Sequence, residues 1–322
     1  MQKNTVLVLA NPTEPQLAML AALPEKTDIV VGEQPSAFER SAAEANIILD
    51  WSGKKNLLEQ VWRMAPRVEW VHSRSAGLDG KLFPALIDTP VPLTNGRGVF
   101  SQSLGEFVVA AALFFAKDFR RMLRSQAAGQ WDPFDIQEIR GQTMGIVGYG
   151  DIGRAAAQRA HALGMKVLAL RRRPELSSGD PCVTEVFSWG RKLEMLPECD
   201  YVVAAAPLTP ETKGMIGAAE FERMKPDAVI MNVGRGPVID EPAMIQALER
   251  KRIKGAALDV FDTEPLPPGH PFYRMENVLL SAHCADHTTD WLEQAMKFFL
   301  QNFERFRKGE ALVNVVDKSQ GY

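Results

Sequence analysis

Met144-Gly145-Ile146-Val147-Gly148-Tyr149-Gly150-Asp151-Ile152-Gly153 decides the fold. A short apolar run enters three glycines spaced G-x-G-x-x-G, and Arg154–Leu163 continues with helical periodicity. Strand, tight turn and helix in that order open a βαβ unit. The first glycine permits the turn, the second lets a ligand approach the backbone, and the third lets helix and strand pack closely. A helix N-terminus favours an anion, so Gly148, Tyr149, Gly150, Asp151, Ile152 and Gly153 are candidate pyrophosphate contacts. A glycine-rich turn without a ligand is the plain alternative.

The next strand, Val167–Leu170, runs into Arg171-Arg172-Arg173, with no carboxylate until Glu175. An NAD site places an acid near this point to accept from the ribose hydroxyls. Guanidinium groups suit a 2′-phosphate instead. NADP is therefore the expected cofactor, with NAD as the second possibility and Arg171 and Arg172 as contacts; a solvated basic turn is the other reading. Four more strand-like runs follow: Tyr201–Ala205, Val229–Asn232, Ala256–Val260 and Val278–Ser281. Six runs with helices between most of them make a doubly wound sheet.

Upstream, Val6–Ala10, Asp28–Val31, Ile47–Asp50, Val68–His72 and Val91–Thr94 alternate with helical segments such as Glu14–Leu23 and Asn56–Met64. This pace also predicts a parallel sheet, so the fold class is α/β with two doubly wound parallel-sheet domains. Between the two series, Ser103–Ala128 has apolar residues three or four apart and is expected as one long helix, with Ser103 and Glu106 placed as a capping box. Its wide apolar face suits a core or a subunit interface. The chain closes with a helical pattern through Trp291, Ala295, Phe298, Asn302 and Phe306, then Val313–Val316.

Composition narrows the function classes. The 322 residues suggest about two domains. Lys plus Arg number 37 against 40 Asp plus Glu, a net charge of −3, which lacks the basic excess of a nucleic-acid binder. Three cysteines, Cys182, Cys199 and Cys284, build no disulfide framework and suit a reducing compartment. The longest apolar run, Phe107–Ala116, is too short to span a membrane, and the N-terminus enters a strand with no apolar leader. A cytoplasmic protein is expected, with neither a membrane nor a metal as partner.

Chemistry-bearing residues gather after three consecutive strands of the second series. Asn232-Val233-Gly234-Arg235-Gly236 follows one, Leu258-Asp259-Val260-Phe261-Asp262-Thr263-Glu264-Pro265-Leu266 the next, and Ser281-Ala282-His283-Cys284 the third. Open α/β sheets bind ligands at such carboxyl ends. Taken singly, Arg235 could be a strand-end ion pair, Glu264 a turn acid and His283 a core histidine.

Together these segments resemble the D-isomer-specific 2-hydroxyacid dehydrogenases, and the resemblance covers nearly the whole chain. The matching motifs are the glycine loop, the arginine segment, the D-V-F-x-x-E-P segment and the histidine segment, in family order. Asp200-Tyr201-Val202-Val203 through Pro207-Leu208-Thr209-Pro210-Glu211-Thr212 is similar to the nicotinamide-side loop, and Ser73-Arg74-Ser75-Ala76-Gly77-Leu78-Asp79 to the substrate-carboxylate loop. The resemblance implies a Rossmann domain, residues 103–285, inserted in a flavodoxin-like substrate domain of residues 1–102 with 286–322. It implies a homodimer built on the helix beginning near Ser103, and Pro207, Thr212, Val233, Gly234 and Asp259 as further cofactor contacts.

Reducing a 2-oxo acid needs a hydride on carbon and a proton on the carbonyl oxygen. His283 is the expected acid–base, and Glu264 would hold its other ring nitrogen and stabilise the protonated form. Arg235 would bind the substrate carboxylate and polarise the carbonyl. Backbone N–H groups of Ser75, Ala76 and Gly77 would hold the same carboxylate, and Asp259 would accept from the nicotinamide carboxamide. The expected activity is reduction of a small 2-oxo acid of the glyoxylate or hydroxypyruvate kind to the D-2-hydroxy acid. Glu264 stands where a formate dehydrogenase would have glutamine, and the chain stops too soon after Val316 for a phosphoglycerate dehydrogenase with a regulatory domain.

The alternative is a dinucleotide-sensing, corepressor-like interaction protein with little turnover. His72, His161 and His270 are expected to be structural and His287 to lie beside the site. Cys284 has no activating base pair and is not expected as a nucleophile. Two positions depart from the family: Ala282 replaces the usual proline before the histidine, and Arg74 stands where small or polar residues are usual.

Overall fold

Val6 to Leu9 are each fully buried, and so are Ile47 to Leu49, Val202 to Ala204 and Ala256 to Leu258. Unbroken apolar runs of this kind mark strands covered on both faces, the hallmark of parallel sheets. The computed structural model, which describes residues 3–177 and 179–321, contains two such sheets. The chain divides into two units, Met1–Phe100 with Thr289–Tyr322, and Ser101–Thr288.

The first unit contains β1 (Asn4–Leu9), β2 (Thr27–Gly32), β3 (Ile47–Asp50), β4 (Trp70–Ser73) and β5 (Leu93–Asn95), all parallel, in the order β2-β1-β3-β4-β5. That is the flavodoxin-like order, whose switch point lies between β1 and β3. One face packs on helix Lys55–Met64 through Leu57, Leu58 and Val61. The other packs on helix Trp291–Lys308 through Ala295, Met296, Phe299 and Phe303. Trp70 stacks on Phe299 at 5.3 Å between ring centroids, which fixes the last helix against the sheet.

The second unit holds β6 (Thr143–Val147), β7 (Lys166–Leu170), β8 (Glu185–Phe187), β9 (Tyr201–Ala204), β10 (Val229–Asn232), β11 (Gly255–Leu258) and β12 (Val278–Leu280). Their order, β12-β11-β10-β9-β6-β7-β8, is a doubly wound Rossmann sheet with one strand more than the six runs expected. The extra strand, β8, is three residues long and lies at the sheet edge beside β7, too short to show an alternating pattern.

Three expectations change. The predicted helix Ser103–Ala128 is two helices, Ser101–Ala116 and Phe119–Ala127. Asp118 breaks it by taking a left-handed φ of 48°, and its carboxylate caps the second helix by accepting from the Arg121 N–H. Ser103 sits inside the first helix and donates to the Ala285 carbonyl at 2.6 Å, so it does not cap. Glu106 faces Arg159 at 3.3 Å. The segment expected as a helix over Glu14–Leu23 is a 3₁₀ turn, Pro15–Ala22, started by Pro15.

Candidate active site

The glycine loop can be tested by asking what a side chain would meet. A Cβ on Gly148 would lie 2.5 Å from the Ala206 backbone, and one on Gly153 2.5 Å from the Gly148 carbonyl oxygen. A Cβ on Gly150 would meet nothing within 4 Å. The first and third glycines therefore close protein against protein, while the second faces open space. No residue among those described accepts from the N–H of Tyr149 or Gly150. Open space, free donors and the start of helix Asp151–Ala162 fit a pyrophosphate.

At the end of β7 the Arg171 guanidinium donates to the Ser177 hydroxyl, and Arg172 lies 3.9 Å from the Glu211 carboxylate. Burial and then Arg173 hold the Arg171 pKa below its ordinary value. Two like charges side by side are costly unless an anion joins them. Tyr149 donates to Asp180 at 3.2 Å, and burial pushes its phenol pKa up.

The Pro207–Thr212 loop is tied by its own side chain. Thr212, fully buried, donates to the Pro207 carbonyl at 2.6 Å and accepts from the Thr209 N–H at 2.8 Å. Its hydroxyl shapes the turn.

The loops after β10, β11 and β12 are stitched together. Asn232, which was not singled out in the sequence, is buried; its amide donates to the Arg235 carbonyl at 3.0 Å and accepts from the Gly234 N–H at 3.1 Å. A Cβ on Gly236 would lie 2.0 Å from the Phe261 carbonyl carbon, so only glycine lets the arginine loop touch the next one. Arg235 is extended (φ −141°), with one guanidinium nitrogen donating to the Gly234 carbonyl at 2.7 Å. Val233 is buried behind it.

Asp259 is 2 % exposed, and its Oδ1 accepts from the N–H groups of both Cys284 and Ala285 at 3.0 Å. The carboxylate expected to face the nicotinamide thus spends one oxygen on the histidine loop. His283 takes a left-handed φ of 51° there. Its Nδ1 lies 2.6 Å from Glu264 Oε2, and Glu264 Oε1 accepts from the Phe261 N–H at 2.9 Å. The imidazole remains 44 % exposed, open to a reactant.

Two neighbours complete this cluster. His270 Nε2 lies 3.1 Å from Glu241, which also accepts from the Asp262 N–H, so a histidine expected as structural braces the Glu264 loop. His287 lies 3.7 Å from Asp286, whose carboxyl pKa is raised first by burial. Asp286 escaped notice because nothing local marks it as half-buried. His161 falls within helix Asp151–Ala162.

In the first unit, Ser75, Ala76 and Gly77 follow β4. Among the described residues none accepts from their three N–H groups. Ser75 accepts at Oγ from Lys81 at 2.8 Å, and Lys81 also meets Ser73 at 3.1 Å and the buried Asp50 at 3.5 Å. Asn95 donates to the Ala76 carbonyl at 2.6 Å. Neither Lys81 nor Asp50 belongs to a recognisable motif. No helix among the described residues is long and apolar enough to cross a membrane.

Residues 109–285 match the model of the D-isomer specific 2-hydroxyacid dehydrogenase, NAD binding domain. The chain is 32% identical to a glyoxylate reductase of Thermofilum pendens, over 98% of this chain and 95% of the relative. Among solved structures, a D-isomer specific 2-hydroxyacid dehydrogenase of Xanthobacter autotrophicus in complex with NADPH aligns with a TM-score of 0.85 at 29% identity, covering 100% of both chains. An NADPH-dependent glyoxylate/hydroxypyruvate reductase of Sinorhizobium meliloti, in complex with NADP and sulfate, gives 0.85 at 27% identity over 99% of this chain and 100% of the other. Four strand-end motifs in order, two parallel sheets and this likeness over full length agree: the chain belongs to the D-isomer specific 2-hydroxyacid dehydrogenase family, NAD(P)-dependent oxidoreductases.

Proposed function

We propose that the protein uses NADPH to reduce a small 2-oxo acid of the glyoxylate or hydroxypyruvate kind to the D-2-hydroxy acid. The observation that carries this is the His283–Glu264 contact at 2.6 Å on an imidazole still open to solvent. When bound, the reduced dinucleotide supplies the hydride. With Nδ1 occupied by Glu264, Nε2 of His283 delivers the proton to the carbonyl oxygen. Glu264 orients the ring through Nδ1. Arg235 takes the substrate carboxylate and opposes the charge that develops on the carbonyl oxygen. In the first unit the N–H groups of Ser75, Ala76 and Gly77 are donors for a substrate carboxylate, and the second unit carries dinucleotide binding.

Gly148 to Gly153 hold the pyrophosphate, Val233, Gly234 and the Pro207–Thr212 loop line the nicotinamide side, and Asp259 offers its second oxygen to the carboxamide. Arg171 and Arg172 take the 2′-phosphate, a reading supported by the crowding of Arg171 by Arg173. A homodimer in the cytoplasm completes the reading. Phe119, Met122, Leu123, Trp131 and Ile136 are exposed in and after the second half of the broken helix, and Trp131 is 97% exposed. Such a patch suits a second copy of the chain.

The deciding measurement is turnover of glyoxylate, hydroxypyruvate and pyruvate with NADPH and NADH. Arg171→Asp should lower kcat/KM for NADPH roughly 10- to 100-fold relative to NADH, the scale of a lost charged hydrogen bond. Wild-type enzyme favouring NADH tenfold would overturn the cofactor assignment, and no turnover of any 2-oxo acid would overturn the reaction.

A further inference from the structure

In the first unit the connections leaving β1 and β3 diverge at the switch point, where open α/β sheets place their ligands. Four residues gather there: Glu14 after β1, Trp51 after β3, Arg74 after β4, and Trp291 at the start of the last helix. The Arg74 guanidinium carbon lies 5.0 Å from the Trp51 ring centroid and 5.4 Å from that of Trp291, within cation–π range of both. Trp51 is itself fixed, 1% exposed, with its indole N–H donating to the Glu14 carboxylate. Two indoles thus hold the arginine in place.

Its hydrogen-bonding is unspent. A guanidinium carries five N–H donors, and among the described residues no oxygen accepts from those of Arg74. Burial lowers its pKa, opposed by the fields of Glu14 and Asp50. A cation that only packed would be expected to close on one of these acids, and neither comes within ion-pair distance. A planar donor fork, half-buried, held between two rings and without an acceptor among the described residues, is organised to receive a ligand.

We propose that Arg74 adds a second anion site that binds the far carboxylate of a longer substrate, so that beside glyoxylate and hydroxypyruvate the enzyme accepts 2-oxo diacids of four or five carbons and favours them over pyruvate. The inference rests on the reading of Ser75, Ala76 and Gly77 as the site of the first carboxylate. Arg74 immediately precedes those residues, which places both anion sites on one loop. A carboxylate is favoured over a phosphate by the charges nearby. Glu14 and Asp50 already oppose Arg74, and Lys81 is engaged with Asp50, Ser73 and Ser75. With Asp50 paired to Lys81, Arg74 and Glu14 leave no net positive charge, so a carboxylate monoanion meets less repulsion here than a phosphate dianion.

The test compares kcat/KM for oxaloacetate and 2-oxoglutarate with that for pyruvate, in wild type, Arg74→Met and Arg74→Lys. Wild type should favour at least one diacid tenfold or more. Arg74→Met should lower the diacid-to-pyruvate ratio roughly 10- to 100-fold. Arg74→Lys keeps the charge and loses the fork, and should restore part of the ratio; it also carries the test if Arg74→Met does not fold. An unchanged ratio in both variants overturns the proposal, and so does a wild-type preference for phosphohydroxypyruvate that Arg74→Met abolishes. If wild type turns over no 2-oxo acid, the reductase reading fails separately, and binding still judges Arg74. Trp51 and Trp291 flank the site, so D-malate should quench tryptophan fluorescence saturably where D-lactate does not, and Arg74→Met should lose the response. Equal responses to both acids overturn the proposal.

Discussion

The carboxyl edges of the two sheets are built by different means. In the Rossmann unit the edge is made by backbone touching backbone. Gly148, Gly153, Gly234 and Gly236 each stand where a Cβ would come within 2.7 Å of another main-chain atom. In the flavodoxin-like unit side chains make most of the edge, beside one close backbone approach, where a Cβ on Gly96 would lie 2.3 Å from the Arg74 carbonyl oxygen. Asp50 accepts from Gly53 and Ser73, pairs with Lys81, and Lys81 passes the contact to Ser75. The difference follows from what each edge has to hold. A pyrophosphate lying along a chain is met by many N–H groups, which needs close, bare backbone. A small acid is met by a few donors whose loop must be fixed from beneath, which needs buried polar partners.

The comparison can be broken most sharply at the chemistry. If the Rossmann edge carries the acid–base group, His283→Ala should cut the reduction rate by roughly 10²–10⁴-fold while NADPH affinity, measured by calorimetry, stays near wild type. Activity within threefold of wild type would remove His283 from the mechanism. Glu264→Gln keeps a hydrogen-bond partner and removes the charge. The ring then keeps its orientation, so kcat should fall less than in His283→Ala.

The side-chain edge should fail differently. Lys81→Met leaves Asp50, 1% exposed, without its cation. Breaking a buried pair this way costs about 3–5 kcal/mol, so the urea midpoint of the first unit should fall steeply. Lys81→Met combined with Asp50→Asn should recover much of the loss. A double variant no more stable than the single one would show that the pair is not what holds this loop.

The glycines sharpen the contrast within one motif. Gly153→Ala drives a methyl against the Gly148 carbonyl and should cost about 1–3 kcal/mol by overpacking. Gly150→Ala meets open space at a negative φ of −98°, so the thermal midpoint should hardly move while NADPH binding weakens at least tenfold. Equal thermal losses in the two variants would mean that the loop does not divide its glycines between packing and ligand.

These contrasts also explain what was legible in the sequence. The backbone-built edge was, because glycine spacing after a strand is a local pattern with one physical reading. Arg235, Glu264 and His283 were visible because each follows a strand, and their joining loops are held by Gly236 and Asp259. The side-chain edge was not legible. Lys81 and Asp50 lie thirty-one positions apart, and nothing but the fold brings them together. Arg74 stood out as unusual, yet its two tryptophans come from positions 51 and 291. The helix break at Asp118 was missed because apolar periodicity runs through it, while a single left-handed residue resets the axis. Thr212 and Asp259 add what no motif announces: each spends hydrogen bonds on holding its own or a neighbouring loop.

The smallest effect at neutral pH belongs to His72, in the side-chain-built unit. It is fully buried in β4, its Nδ1 lies 2.7 Å from the Thr94 hydroxyl, and its ring packs on Phe299 at 5.5 Å. Burial lowers its pKa to about 3 from the ordinary 6.5. Between those values the unfolded chain binds a proton that the folded chain refuses. Its neutral form therefore favours folding fully above pH 6.5, and that stability is lost as the pH falls toward 3, by up to about 1.4 kcal/mol per pH unit. His72→Gln removes the titration and keeps a hydrogen-bond partner for Thr94. At pH 7 the variant should be less stable than wild type, because the ring contacts are gone. By pH 5 that gap should shrink by about 2 kcal/mol, since only wild type is penalised by the proton. Urea unfolding followed by tryptophan fluorescence, with Trp70 beside His72 in the same strand, measures both gaps. A gap that stays constant from pH 7 to pH 5 would mean that His72 takes up its proton in the folded state, and that the dry interior beneath this edge is open to water.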